Sequence, residues 1–74
     1  MASLPVVSGS EATRAFERAG WQRARQKGSD VSLVKSGVSV NLSIPLHREL
    51  DRATLRKLIR LAGLSVDQFD ALLR

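Results

Sequence analysis

The sequence predicts a small α+β fold, a three-stranded antiparallel sheet covered by helices on one face only. Three observations lead there. Polar capping residues open three helical patterns, at Ser8, Asp51 and Ser65, and glycine closes the first two. Three short extended segments lie in succession between the first and second helices. The last of these, "VSVNLSI", alternates apolar and small polar residues, as a strand does when one side is buried and the other is wet.

The elements follow in order. Ser8 stands three residues before Glu11, a capping box in which each side chain satisfies a backbone N–H left free at the helix start. Ala12, Ala15, Phe16 and Ala19 then recur at helical spacing, and Gly20 is placed to close the helix in the left-handed conformation. Phe16 should anchor this helix to the core. Trp21 to Lys27 lies between two breakers, Gly20 and Gly28, and reads as a short polar strand with Trp21 in the core. Val31 to Lys35 is a second strand, and Ser36-Gly37 a tight hairpin into the third, Val38 to Ile44. In that strand Val38, Val40, Leu42 and Ile44 should all face the core. Pro45 ends it. After "LHREL", Asp51 caps a helix whose Leu55, Leu58, Ile59 and Ala62 form an apolar stripe as far as Gly63. Ser65 and Gln68 form a second capping box, and Val66, Phe69, Leu72 and Leu73 give a short terminal helix its apolar side.

The 74 residues suffice for a single domain, 1–74, with one core. Cysteine is absent, so packing alone must hold the fold, which suits a reducing, cytoplasmic setting. No segment resembles a signal peptide or approaches the roughly 18 apolar residues of a membrane span, so no membrane partner is expected. One histidine among scattered carboxylates offers no metal-ligand spacing, and neither a metal nor another cofactor is expected. Lysine and arginine number 12 against 7 acids, a net charge of +5. A sequence pI near 11.2 fits a nucleic acid or acidic protein partner, although the same charge also serves solubility. The cations fall into two groups, Arg23, Arg25 and Lys27 at alternate positions of the first strand, and Arg52, Arg56, Lys57 and Arg60 on the second helix. Alternation should put the first group on one face of the sheet. The second group reads equally well as a solvated helix face.

The α-β-β-β-α order with basic residues resembles the double-stranded-RNA-binding domain, which meets RNA largely through shape and phosphates. Three segments sharpen this: "LPVVSGSEATRAFERAGW", "RQKGSDVSLVKSG" and "IPLHRELDRATLRKLIRLAGLSVDQF". Together, from Leu4 to Phe69, they resemble the HicA toxins of HicAB toxin–antitoxin systems. That family's pattern runs from Ser-Gly-x-Glu at the first helix, through Gly-Trp or Gly-Phe and Gly-Ser-His, to Pro-x-His and Ala-Gly-Leu. The resemblance implies a fold of the double-stranded-RNA-binding type and a metal-independent ribonuclease that cleaves mRNA and slows growth. It also implies a HicB-type antitoxin that covers the active site. In this chain the family's Gly-Ser-His reads Gly28-Ser29-Asp30.

By the resemblance, Asp30 occupies the catalytic histidine's position. Arg23, Arg25, Lys27, Gly28 and Ser29 become the expected RNA-contacting residues. His47, in the Pro-x-His segment, becomes a secondary candidate, although a lone histidine in a polar connection is ordinarily a surface residue. Metal-free RNA cleavage takes a proton from the ribose 2′-OH and gives one to the leaving 5′-oxygen, tasks suited to a group titrating near neutral pH. Imidazole does so. A carboxylic acid, with a reference pKa of about 3.9, has essentially no proton to give at neutral pH and repels phosphate. General acid–base catalysis contributes roughly 10² to 10⁴ in rate, and the expected loss is of that size. Three readings of the aspartate stay open: a substitution introduced to disable a toxic protein, a natural variant that binds RNA but cuts poorly, or a natural variant that uses Asp30. Gly-Ser-Asp is also ordinary turn chemistry. Two further readings of the whole chain stand beside the toxin, a non-cleaving double-stranded-RNA-binding module and a variant that retains only antitoxin binding.

Overall fold

The computed structural model describes residues 3–74. Its elements are α1 (Gly9–Arg18), β1 (Gln22–Lys27), β2 (Asp30–Val34), β3 (Leu42–Pro45), α2 (Arg52–Leu61) and α3 (Val66–Leu72). The strands form one antiparallel sheet in the order β1-β2-β3. This is the expected α+β architecture, in the double-stranded-RNA-binding layout.

Each helix starts where its cap predicts. The Ser8 hydroxyl accepts from the Glu11 N–H at 3.0 Å while the Glu11 carboxylate accepts from the Ser8 N–H at 2.9 Å. The Ser65–Gln68 pair repeats the arrangement, and one Asp51 carboxylate oxygen accepts from the N–H groups of Ala53 and Thr54. The Ser8 hydrogen bonds, backbone first, hold the Glu11 carboxyl below its usual pKa.

Val31 and Leu33 of β2 and Leu42 and Ile44 of β3 are completely buried on the face the helices cover. Phe16 of α1 and Phe69 of α3 meet at 5.0 Å between ring centroids, which ties the first helix to the last. Trp21 is buried just ahead of β1, as expected, though its indole N–H has no partner among the described residues. Leu4, Val7 and Leu50 complete the core from segments without regular structure.

The third strand is shorter than its alternation predicts. A turn does form at Ser36-Gly37, with the Val38 N–H donating to the Lys35 carbonyl at 3.1 Å and Gly37 at φ +81°. Pairing resumes only at Leu42, opposite Leu33, with Ile44 opposite Val31. A tight hairpin at 36–37 would have set Val40 against Leu33, so the observed register is displaced by two residues. A two-residue shift preserves which face each side chain takes, and Leu42 and Ile44 therefore still point inward. Val38 and Val40 instead lie beyond the paired sheet and are exposed, at 38% and 39%. At this end of β2, Val34 pairs with Gln22 of β1 but has no partner in β3, and the Lys35 ammonium just beyond it donates to the Ala19 carbonyl at 2.9 Å.

Candidate functional site

Gly28 and Ser29 are the two loop residues of the β1–β2 hairpin, flanked by the Cα partners Lys27 and Asp30. Gly28 has φ +60° and Ser29 does not have positive φ, the pattern of a type II′ turn, whose twist suits an antiparallel pair. A Cβ on Gly28 would meet open space, so the glycine is required by its backbone angle and leaves the turn accessible. The Ser29 carbonyl accepts from the Leu46 N–H at 2.6 Å, and the His47 carbonyl accepts from the Gly9 N–H at 2.9 Å. The connection after β3 is thus held between the hairpin turn and the start of α1. Gly9 makes this possible: a Cβ there would overlap the Pro45 carbonyl oxygen and lie 2.7 Å from the Leu46 Cα. Asp30 pairs with Pro45, so Asp30 and the His47 segment share one end of the sheet.

The register fixes which cations share Asp30's side. Val31 and Leu33 face the helices, so Asp30, Ser32 and Val34 face away from them, on the open side. Cross-strand partners share a face. Lys27, opposite Asp30, and Arg25, opposite Ser32, are therefore on the open face. Arg23 is not, contrary to the alternation. A bulge between Arg23 and Arg25 makes Ala24 an extra residue, and Arg23 pairs with Leu33 on the helix side. Its guanidinium ion-pairs there with Glu17 of α1 at 3.3 Å. Asp30, Lys27, Arg25, Ser29 and His47 are all exposed. Among the described residues neither Arg25 nor Lys27 is in an ion pair, although Lys27 and Asp30 face one another across the hairpin.

One rung, Arg25–Ser32–Ser43, crosses the open face from β1 to β3. At its far end a cavity of about 250 Å³ lies between β3 and α2, lined by Asn41, Ser43, Thr54, Lys57, Leu58 and Leu61. The basic composition of α2 had marked Lys57 only as one of four cations; the non-local packing of α2 beside β3 singles it out. Among the described residues no three His, Cys, Asp or Glu side chains gather to hold a metal ion, and no helix is long and apolar enough to cross a membrane.

A family profile described as the HicA toxin of bacterial toxin–antitoxin systems matches residues 9–64, from the first residue of α1 to just beyond α2. The chain belongs to the HicA toxin family. It is the toxin of a toxin–antitoxin system, and the system implies an antitoxin partner. No curated protein matches the chain. The match spans the Gly28-Ser29-Asp30 turn, the whole sheet and the Pro45–His47 connection.

Proposed function

We propose that this HicA-family chain is an RNA-binding toxin of the mRNA-cleaving kind whose cleavage step is weakened by Asp30. The observation that carries the reading is the position of that residue. Asp30 opens β2 directly after an accessible glycine turn, is exposed, and shares the open face with Arg25 and Lys27. A phosphodiester held by these cations would lie against a carboxylate. Such a group neither donates a proton at neutral pH nor tolerates a nearby phosphate well. An imidazole at the same point could take the 2′-OH proton and assist departure of the 5′-oxygen, with no metal involved.

In this reading Arg25, Lys27 and the Gly28 and Ser29 backbone hold the RNA. His47, at the same sheet end, is the only imidazole in the chain. Arg23 contributes through β1 and its ion pair to Glu17. The partner is a HicB-type antitoxin covering the hairpin end of the sheet, with the toxin acting on cytoplasmic mRNA. The test is cleavage of an unstructured transcript, in excess chelator, by the Asp30 chain and by Asp30→His. The reading expects cutting by the histidine variant at least about 10²-fold faster. Equal rates, or binding of duplex RNA alone with no cutting by either, would favour the non-cleaving module instead.

A further inference from the structure

We propose that the cavity between β3 and α2 is a nucleotide subsite, in which Lys57 holds a phosphate of single-stranded RNA whose path crosses the open face of the sheet. The inference rests on the RNA-binding reading and adds a direction and an end point to the path.

The route is drawn by the register. Arg25, Ser32 and Ser43 stand side by side on one rung of the open face, which spans two strand spacings, about 10 Å. Ser43 belongs both to that rung and to the cavity lining. It is also two residues from Pro45, the partner of Asp30, so the cavity adjoins the candidate cleavage position at about 7 Å along β3. All three groups along the route are small or cationic, and nothing on the rung carries negative charge. Lys57 is exposed and makes no ion pair among the described residues, so its charge is not already neutralised.

The lining suits one nucleotide. Leu61, partly exposed and backed by the buried Leu58, supplies an apolar floor on which a base can rest. Asn41, Ser43 and Thr54 supply a side-chain amide and two hydroxyls for base edges or ribose hydroxyls, and Lys57 supplies the point charge for phosphate. Floor, polar rim and cation are the features by which an unstacked nucleotide is held. A duplex could not use them, since its bases are stacked inward. The occupant is therefore single-stranded RNA.

The experiment measures binding of a fluorescent, unstructured RNA oligonucleotide to the full chain across a salt series, with thermal unfolding of each variant as a fold check. Lys57→Ala should lower affinity and reduce the log–log salt slope by about 0.7, the value for one phosphate contact on a single strand. Arg56→Ala makes the same charge change on α2 outside the cavity and should leave the slope as it was. Asn41→Ala should lower affinity with no change in slope. If Lys57→Ala behaves like Arg56→Ala while Arg25→Ala and Lys27→Ala still weaken binding, the subsite is wrong and the RNA face stands. If none of these variants matters, the RNA reading itself fails. Preference for duplex over single-stranded RNA also overturns the subsite.

Discussion

Gly9 shows how a single residue distant from Asp30 in the sequence can position the candidate site. It lets the first turn of α1 press against the Pro45–Leu46 backbone, and that backbone in turn is hydrogen-bonded to the hairpin turn at Ser29. Gly9→Ala must push backbone against backbone, since no flexible side chain is there to yield. The expected cost is about 1–3 kcal/mol, in the range of overpacked cores, measured by urea unfolding. At the same scale the bulge at Ala24 divides the three β1 cations. Arg25→Ala and Lys27→Ala should each flatten the salt dependence of RNA binding by about 0.7. Arg23→Ala, which removes an ion pair on the other face, should leave the slope unchanged and alter stability by no more than about 1 kcal/mol. A slope lowered equally by all three would contradict the bulge's effect on the site. In the one-letter string Arg23, Arg25 and Lys27 look equivalent, because a bulge inserts a residue without any marker of its own in "QRARQK".

At the scale of elements, capping and alternation were legible because both depend on neighbours in the chain. Ser8–Glu11, Asp51 and Ser65–Gln68 all start their helices as their spacing predicts. The β2–β3 register was not legible. Registers two residues apart give the same inside–outside pattern, so alternation alone does not choose between them. The consequence for stability is measurable. Val40→Ser, in the exposed connection, should change stability by no more than about 0.5 kcal/mol, whereas Leu42→Ala should cost about 2–5 kcal/mol. Comparable losses would restore the longer strand. The α1 cap also carries a pH signature. A carboxyl whose pKa is lowered on folding contributes stability above its unfolded pKa and loses it as pH falls through the folded value. The stability gap between the Asp30 chain and its Glu11→Ala variant should therefore be full at neutral pH and narrow as pH falls below the ordinary glutamate value of 4.5. A gap that does not change with pH would remove the ionised carboxylate from the cap.

For the molecule as a whole, the division of labour between the two sheet faces is what ties fold to function. Helices and a single apolar cluster occupy one face, and the other presents cations, small polar side chains and one aspartate beside an accessible turn. Membership of the HicA toxin family makes the chain a toxin, and in the proposed function the character of residue 30 sets what that toxin can still do. Asp30→His should fold as the Asp30 chain does, since the position is exposed and Lys27, which faces it across the hairpin, forms no ion pair with it. It also makes the net charge one unit more positive than +5, which favours a polyanionic substrate. The central claim is that this residue governs proton transfer during RNA cleavage. The measurement that tests it most directly is the cleavage rate of one single-stranded RNA by both proteins across about pH 5 to 9. The account predicts that the histidine variant cuts faster and that its rate titrates between about pH 6 and 7, a feature absent from the Asp30 chain. An Asp30 chain that cuts as fast as the variant, or an active variant whose rate shows no such titration, would contradict it.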